Sequence, residues 1–222
     1  MIWITVLAMT ACGKPYYLSS SFSDKTKDHE IVAVLPVEMI FLGKMPEGLE
    51  EDDILAIEEA ESQAFQISLS NEILRSVKGG KRPLSIDFQP YSTTNQILEE
   101  NQLSVREAWH QSPEYLADLL QVDAVLKTRI EKYRYMSDLA SYGVYVATDV
   151  IEIITQGTLR PYIPPDLAKT NDILATCSLN DGEDGIVLWS MSKEQAADWS
   201  RPPHEVIDGI NRRLARHFPY RE

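Results

Sequence analysis

A short apolar run followed by a long helical pattern is the feature that most constrains the fold. Residues 31–35 are all apolar and Pro36 closes the run, which is typical of a strand buried on both faces. From Glu50 to Val77, apolar residues recur at helical spacing, and Gly79-Gly80 marks the end of the predicted helix. Leu84 to Phe88 then alternates as a second strand. This order of strand, helix and strand predicts a right-handed crossover that joins two parallel strands.

The second half of the chain adds short helices and an antiparallel hairpin. Ser112 can cap a helix whose first position is Pro113, and this helix is predicted to end near Gln121. The turn-rich segment 180–185 predicts a hairpin loop between two strands. The other predicted elements are helices at 94–100, 105–110 and 205–217 and strands at 122–130, 173–179 and 186–192. The prediction is an α/β fold, with helices packed on a mixed sheet of about five strands, in a single domain over residues 31–222.

The predicted strand and helix faces identify the core. Alternation in the segment 173–179 places Cys177 on one strand face with Ile173, Ala175 and Leu179. Because a small thiol on such a face behaves as an apolar side chain, Cys177 is predicted to be buried and inert. Trp189 is interpreted as core rather than as a platform for a ligand. The residues expected to be mostly buried are Val34, Phe65, Leu69, Val125 and Trp189.

Cys12 lies in a setting that is typical of a bacterial lipoprotein signal. Eleven uncharged, mostly apolar residues precede it, and a polar, Ser-rich stretch follows. Met9-Thr10-Ala11-Cys12 resembles a lipobox, in which a signal peptidase cleaves just before a lipidated cysteine. Residues 1–11 are therefore predicted to be a signal peptide, and residues 12–30 a lipidated cysteine with a flexible tether. Met9 replaces the usual Leu and no Lys or Arg begins the segment, so a short buried strand with an ordinary cysteine is the alternative.

The acidic composition of the chain argues against negatively charged partners. The formal net charge is −13, so nucleic acid and anionic lipid surfaces would be repelled. The basic clusters at 78–82 and 212–213 are small, and they are interpreted as a turn and a solvated helix face. The apolar segment 139–154 is interrupted by two carboxylates and is shorter than the roughly 20 residues that a membrane-spanning helix needs. Membrane contact is therefore predicted through lipid on Cys12.

Three segments together resemble a known group of bacterial envelope proteins. They are Ile31-Val32-Ala33-Val34-Leu35-Pro36, Leu119-Leu120-Gln121-Val122-Asp123-Ala124-Val125-Leu126 and Asp184-Gly185-Ile186-Val187-Leu188-Trp189. The pattern resembles the periplasmic domain shared by CsgG-like and LpoB-like lipoproteins and TolB amino-terminal domains, with Gln121 where that group has Gly. The segments 59–66 and 218–220 are most similar to those of lipoproteins from Bacteroidetes-type bacteria. The resemblance implies a role in envelope assembly, export or regulation of wall enzymes.

Catalytic chemistry has no recognisable motif in this sequence. A nucleophile elbow, a phosphate loop and metal-ligand spacing are all absent from it. The histidines are predicted to be exposed at the surface: His29, His110, His204 and His217. The acidic run 50–53 occupies the first turn of a predicted helix, where the helix dipole favours anions, and its carboxylates would point in different directions. No catalytic residue, metal site or cofactor is therefore predicted.

The segment 133–154 is the predicted partner-binding region. It carries several tyrosines and few charges in an otherwise acidic chain, a composition that protein interfaces favour at their centres. We predict that Tyr135, Tyr142 and Tyr145 contact a partner or a second copy of the chain. One alternative is that these tyrosines pack an insertion, helical or extended, against its own sheet. Another is that Tyr133 and Tyr135 stack on a glycan or a peptide.

The sequence as a whole predicts a lipid-anchored, non-catalytic module that binds or assembles envelope partners. Gly13-Lys14 lacks both the Asp that retains lipoproteins in the inner membrane and an acidic cluster for surface display. The predicted location is therefore the outer membrane, with the domain facing the periplasm. The alternatives are a subunit of an outer-membrane secretion channel and an enzyme acting on cell-wall or glycan material. Whether the chain forms a homo-oligomer is left open.

Overall fold

A computed structural model describes residues 15–42, 51–78, 85–132, 169–198 and 203–220. In these ranges the strands are β1 (Tyr17–Leu18), β2 (Ile31–Val34), β3 (Glu38–Phe41), β4 (Asp87–Phe88), β5 (Ala124–Lys132), β6 (Lys169–Asp181) and β7 (Val187–Asp198). The helices are α1 (Phe22–Lys25), α2 (Glu51–Lys78), α3 (Tyr91–Glu100), α4 (Val105–His110), α5 (Pro113–Leu120) and α6 (Pro203–Ala215). The predicted α/β fold class is confirmed.

The strands form one mixed sheet. Its order is β1-β7-β6-β5-β2-β4, and β3 pairs with β5. Both β4 and β5 run parallel to β2, which confirms the predicted parallel pair, and β6 is antiparallel to β5 and β7, which confirms the hairpin. The described residues form seven strands rather than about five. The two additional strands, β1 and β3, are short and carry no strong alternation in the sequence.

An interruption at Pro36 separates β2 from β3 along the same side of β5. Val34 is opposite Leu126 and Glu38 is opposite Arg129, so three residues of one strand face two of the other. This is the geometry of a bulge, and a proline fits there because it has no N–H to donate to a ladder. The sequence pattern therefore predicted the end of the strand at Pro36. It did not predict that pairing with β5 resumes two residues later, at Glu38.

One face of the sheet packs against α2 and α6. Phe65 and Leu69 from α2 and Ile210 from α6 are at most 3% exposed and lie in one cluster with apolar residues of β2, β5, β6 and β7. The opposite face packs at β2 and β5 against a smaller cluster from α3, α4 and α5. The five residues predicted to form the core are confirmed as buried, at 3% exposure or less: Val34, Phe65, Leu69, Val125 and Trp189.

The helix α5 has the termini that the sequence predicts. The Ser112 hydroxyl accepts a hydrogen bond from the Tyr115 N–H at 3.3 Å, and Pro113 occupies the first helical position. Gln121 ends the helix in the left-handed region, with φ 54° and ψ 53°. This is the backbone conformation that glycine adopts most easily, so Gln121 keeps the geometry that a glycine would supply at this position.

The segment 15–30 is a correction to the predicted flexible tether. Tyr17 and Leu18 pair with Ser190 and Trp189 of β7, and α1 follows directly. Phe22 packs against the larger core cluster. The polar composition of this segment concealed the few aromatic contacts that hold it on the domain, so the folded part begins before residue 31. Among the described residues, no helix is both long and apolar enough to cross a bilayer.

Candidate functional site

Two adjoining cavities form a groove between α2, β3 and the start of α4. One has a volume of about 340 Å³ and reaches towards α3, and the other has about 330 Å³ and reaches towards β3. Glu59, Ser104 and Val105 line both cavities, so the two spaces are continuous along one surface. We call this surface the α2–α4 groove. It lies at the carboxyl end of β2, the side of parallel strands where ligands commonly bind in α/β proteins.

The Pro36 interruption fixes one wall of the groove. The Trp109 Nε1 group donates a hydrogen bond to the Pro36 carbonyl oxygen at 3.1 Å, which ties α4 to the bulge. The Lys127 ammonium donates to the Trp109 and Gln111 carbonyl oxygens, at 2.9 and 3.1 Å, and lies 4.9 Å from the centre of the Trp109 ring. A cation at these carbonyl groups complements the negative end of α4. The helix is therefore held in place from both sides.

The corner between α3 and α4 is fixed by its own hydrogen bonds. Ser104 and Glu107 form a capping box, in which each residue's side chain bonds the backbone N–H of the other. The hydrogen bond with the Ser104 hydroxyl holds the pKa of the Glu107 carboxyl below its ordinary value. Gln102 has a φ of 58°, the left-handed turn that reverses the chain. These contacts give the groove a preformed edge.

The rim of the groove is acidic. Arg106 pairs with Glu58 at 2.5 Å, and Arg129 pairs with Glu38 at 2.5 Å, so two of the carboxylates are neutralised locally. Glu59 and Glu99 are exposed and have no ion pair with any residue that the structure describes. Negative charge is therefore left uncompensated in the groove of a chain that already carries −13 overall.

The floor of the groove is apolar at its β3 end and mixed at its α3 end. The β3 side is lined by Val37, Met39 and Leu55, and Leu55 is 38% exposed. On the other side, Asn95 exchanges two hydrogen bonds of 2.9 Å with Gln66, whose side-chain amide also donates to the Val34 carbonyl oxygen at 2.8 Å. This partly buried amide pair joins α2 to α3, and Asn95 itself lines the cavity. An apolar floor with a few oriented polar groups is the usual composition of a binding site.

The described residues that line the groove show no nucleophile aligned with a histidine base. The Ser104 hydroxyl donates to Glu107 at 2.6 Å within the helix cap, where both groups have structural partners. No histidine or cysteine lines either cavity. Within the described ranges, no three His, Cys, Asp or Glu side chains are grouped to hold a metal ion. The chemistry that the groove offers is therefore apolar contact, hydrogen bonding and attraction of a cation.

A second polar cluster joins the N-terminal segment to the hairpin loop and to the C-terminal end of the chain. His29 bonds the Tyr220 hydroxyl at 2.5 Å through Nδ1 and Asp181 at 3.1 Å through Nε2. Lys25 lies 2.9 Å from Asp184 and 3.1 Å from Asp181. His29, predicted to be an exposed residue of a tether, has a side chain only 9% exposed, so that prediction is wrong. Its hydrogen-bond partners, Asp181 and Tyr220, are more than 150 residues away in the sequence, so no local pattern predicted its burial.

The electrostatics of this cluster indicate a structural role. Burial raises the pKa of Asp181, whereas the hydrogen bond from Lys25 lowers the pKa of Asp184. Burial also raises the pKa of Tyr220, so its hydroxyl stays protonated at neutral pH. Tyr220 is 3% exposed and its ring packs beside Phe22 and Phe218. The linear order of acid, imidazole and hydroxyl resembles a catalytic relay, but Tyr220 is almost fully buried among the described residues.

The other residues singled out in the sequence have plain structural positions. Cys177 is buried as predicted, and burial raises the pKa of its thiol to about 12. His110 is exposed, and His217 is half-buried with its ring 5.6 Å from that of Tyr16. The predicted lipidation site and the predicted partner-binding residues lie outside the described residues: Cys12, Tyr135, Tyr142 and Tyr145. Their roles stay predictions.

Sequence reasoning did not find the α2–α4 groove. Two signals were present: Pro36 at the end of an apolar run, and the Ser104-x-x-Glu107 spacing of a capping box. Neither signal shows by itself that the two segments meet across α2. The groove depends on contacts between segments that are far apart in the chain.

The chain is similar to several solved structures at low sequence identity. No protein-family profile matches the chain, and no curated protein matches it significantly. Lipoprotein GNA1162 from Neisseria meningitidis has 12% identity and a TM-score of 0.47, over 85% of this chain and 96% of that one. The LpoB C-terminal domain from Salmonella enterica has 10% identity and a TM-score of 0.38, over 78% and 91%. The PelC dodecamer from Paraburkholderia phytofirmans has 11% identity and a TM-score of 0.38, over 84% of each chain.

These neighbours include one protein of the group that the sequence motifs resemble, the LpoB domain. None of the three bears on the narrower likeness to lipoproteins of Bacteroidetes-type bacteria. With TM-scores below 0.5, the similarities carry no inference about partner, activity or assembly.

Proposed function

We propose that the protein is a lipid-anchored, non-catalytic binding module of the bacterial envelope, and that the α2–α4 groove receives a partner protein. The observation that carries this proposal is the groove itself, with an apolar floor, an acidic rim and walls fixed by hydrogen bonds. A rigid site loses little conformational freedom on binding, which favours recognition of another molecule. Its side chains offer contact surface and charge rather than a nucleophile and a base.

The anchor and the groove would act together. If Cys12 carries the lipid, the chain from Cys12 to Tyr17 can extend at most roughly 18 Å, because an extended residue spans about 3.5 Å. Since β1 begins at Tyr17 and is paired with β7, the domain would stay close to the membrane surface. A partner in or beside the same membrane would then meet the groove at a high effective concentration. The proposed place of action is the periplasmic side of the outer membrane.

The anchor is tested by replacing Cys12 with Ser. The full chain is expressed in a bacterium with a lipoprotein-processing pathway, and acyl-chain labelling and detergent-phase partitioning are measured. We expect Cys12→Ser to lose the label and to move to the aqueous phase, while Cys177→Ser keeps both properties of the parent. Equal labelling of the parent and the Cys12 variant would disprove the anchor.

The binding role is tested by site-specific photo-crosslinking in intact cells. A photoreactive phenylalanine at Val105 reports on the groove, and the same group at Tyr115, exposed on α5, serves as the control. We expect one envelope protein, identified by mass spectrometry, to crosslink from Val105 and not from Tyr115. The purified partner should then bind the parent and Tyr115→Lys equally but Val105→Lys more weakly. Equal binding by all three proteins would show that the groove is not the site.

A further inference from the structure

We propose that four exposed apolar residues on β1 and at the amino end of β7 form a surface that rests on the headgroup layer of a zwitterionic lipid bilayer. They are Tyr17, Leu18, Ile186 and Val187, and we call this surface the β1–β7 patch. The inference rests on the lipid anchor of the proposed function and goes beyond it, because it states which side of the domain faces the membrane.

The first argument is that the residues of the patch are adjacent and exposed. Leu18 is opposite Trp189, and the Ser19 N–H donates to the Leu188 carbonyl oxygen at 2.9 Å, so β1 leads towards the two patch residues that directly precede Leu188. The four side chains are between 38% and 54% exposed. Single exposed apolar side chains are normal on a protein, whereas a contiguous group of them is typical of a contact surface.

The second argument is the uncharged sheet face beside Tyr17. Tyr17, Ser190 and Ser178 are side by side on three neighbouring strands. Because Ser178 alternates with the core-facing residues of β6, this row lies on the face opposite α2 and α6. In the next row, the Thr176 and Ser192 hydroxyl groups are exposed and 3.2 Å apart. A tyrosine among neutral hydroxyl groups suits the headgroup layer, which offers both apolar contact and hydrogen bonds.

The third argument is the short connection between the anchor and the patch. Tyr17 follows Cys12 by five residues, so at most roughly 18 Å separates them. A domain of roughly 200 residues has a radius of gyration of about 16 Å and is therefore about 40 Å wide. Because the connection is shorter than the domain is wide, an anchored domain turns the side that carries β1 towards the bilayer. This favours lipid, rather than a second copy of the chain, as the occupant of the patch.

The fourth argument concerns the charge of the lipid. The hairpin loop that precedes Ile186 is acidic, and the Lys25 ammonium lies 3.1 Å from Glu183 and 2.9 Å from Asp184. One ammonium beside two carboxylates leaves the loop negative, so an anionic lipid surface would repel it. Phosphatidylcholine has no net charge, and its headgroups can contact the neutral patch without this repulsion.

The patch and the α2–α4 groove lie at opposite ends of the sheet. The strands β2, β5 and β7 point in the same direction, because β2 is parallel to β5 and β6 is antiparallel to both β5 and β7. Val187 is at the amino end of β7, whereas the groove is at the carboxyl end of β2. Contact of the patch with a bilayer therefore leaves the groove accessible to a partner.

The experiment places the full lipidated chain, purified from a bacterium that processes lipoproteins, in phosphatidylcholine vesicles. The fluorophore NBD is attached to one introduced cysteine at a time. Tyr17→Cys and Val187→Cys report on the patch. Tyr91→Cys is the control, because Tyr91 is 38% exposed on α3, which follows the strand at the opposite edge of the sheet. Leu55→Cys, also at a position 38% exposed, reports on the groove.

The two native cysteines do not interfere with the labelling. In the lipidated chain the Cys12 thiol carries the lipid. Cys177 is buried, and burial raises the pKa of its thiol to about 12, so it does not react with the dye. Acyl-chain labelling of the same preparation measures how much of the protein is anchored.

We expect phosphatidylcholine that carries a doxyl quencher to quench NBD at positions 17 and 187. Side chains at a membrane interface lie roughly 5–10 Å into the boundary between headgroups and acyl chains, so quenching there should be about twofold or more stronger than at positions 91 and 55. Iodide in the water should show the reverse order. The label at Val187 does not depend on β1, so it tests the patch even if Tyr17→Cys loosens that strand.

Equal lipid quenching at all four positions, or the strongest quenching at Leu55, would overturn the proposal. A blue shift at Tyr17 and Val187 that grows with protein concentration, without lipid quenching, would assign the patch to a second copy of the chain and would also overturn it. If the chain is acylated and the patch labels are not quenched, the anchor stands and the patch is wrong. If the chain made in such a bacterium carries no acyl group at Cys12, the anchor and the patch fail together.

Discussion

The Trp109 indole N–H donates a hydrogen bond to the Pro36 carbonyl oxygen at 3.1 Å and so joins α4 to the interruption between β2 and β3. The same indole ring has the Lys127 ammonium 4.9 Å and the Arg129 guanidinium 5.3 Å from its centre. Two cations over one ring restrict its orientation through cation–π attraction. Trp109 therefore helps to set the position of α4, and with it one side of the α2–α4 groove.

Replacing Trp109 with Phe is expected to destabilise the fold by about 1–3 kcal/mol, because the Pro36 carbonyl loses its donor and the smaller ring holds the cations less well. Urea unfolding followed by circular dichroism measures this change. Tyr115→Phe, at an exposed position of α5, is the control and should lie within about 0.5 kcal/mol of the parent. A Trp109→Phe protein as stable as the parent would show that the indole hydrogen bond does not hold α4.

Two glycines provide a matched pair of substitutions with opposite expected signs. A Cβ on Gly182 would lie 2.7 Å from the Asp123 carbonyl oxygen and 2.7 Å from the Ala117 Cβ, so backbone would have to move. We expect Gly182→Ala to destabilise the protein by about 1–3 kcal/mol. A Cβ on Gly209, within α6, would meet nothing within 4 Å, and Gly209→Ala should stabilise the helix by about 0.5–1 kcal/mol. Thermal unfolding of both variants checks the signs, and a stabilised Gly182→Ala would contradict this packing.

The sequence predicted elements whose signals are local. The apolar run 31–35, the cap at Ser112 and the alternation around Cys177 each identify an element from neighbouring residues alone. Their burial was predictable for the same reason, since a strand or helix must cover its apolar face. The left-handed Gln121 shows that even an unfavoured residue can keep a geometry that the surrounding elements require.

What the sequence did not predict depends on pairing across the chain. β1 is held in the sheet by its pairing with β7. His29 is buried against Tyr220 and Asp181, which follow it by more than 150 residues. The groove likewise needs the bulge at Pro36 to meet α4. Polar composition suggested a tether for 15–30 because a few aromatic contacts among many polar residues leave no periodic pattern. Tertiary contacts of this kind become visible only when the segments are placed together.

The ion-pair cluster around Lys25 predicts a pH dependence of stability. The hydrogen bond from Lys25 lowers the native pKa of Asp184 from its ordinary 3.8, so ionised Asp184 stabilises the folded state. This contribution is present above pH 3.8 and is lost as the pH falls through the lowered native value. The same pairing raises the native pKa of Lys25, so its contribution is fully present below the ordinary 10.5 and is lost as the pH rises through the raised native value. The ion pair of Lys25 and Asp184 therefore makes its full contribution to stability between about pH 3.8 and pH 10.5.

Asp184→Asn should accordingly lower the melting temperature at neutral pH, and the difference from the parent should shrink as the pH falls below about 3.8. Melting curves from pH 2 to 8 measure this convergence. Glu194 has no described ion pair, so the melting temperature of Glu194→Gln should change with pH in parallel with that of the parent. A difference for Asp184→Asn that persists unchanged at low pH would show that the effect is not electrostatic.

Lys132 and Glu61 form an ion pair between β5 and α2, with side chains only 4% and 2% exposed. Lys132 follows Ile130 on the core-facing side of β5, so its ammonium requires a carboxylate from the helix that covers that side. Burying two charges costs solvation that their attraction only partly offsets, whereas leaving one of them alone is strongly unfavourable. The pair should therefore behave as a unit rather than as two independent contributions.

A double-mutant cycle tests this coupling. Glu61→Leu alone and Lys132→Met alone should each destabilise the protein by about 3–5 kcal/mol, because each removes one half of a buried ion pair. The double variant should lose much less than the sum of the two, since an apolar pair of similar size replaces both charges. The pair of Arg106 and Glu58, whose side chains are 57% and 17% exposed, is the control, with a coupling of at most about 1 kcal/mol. Additive losses at Glu61 and Lys132, measured by urea unfolding, would mean that water or another group satisfies each charge separately.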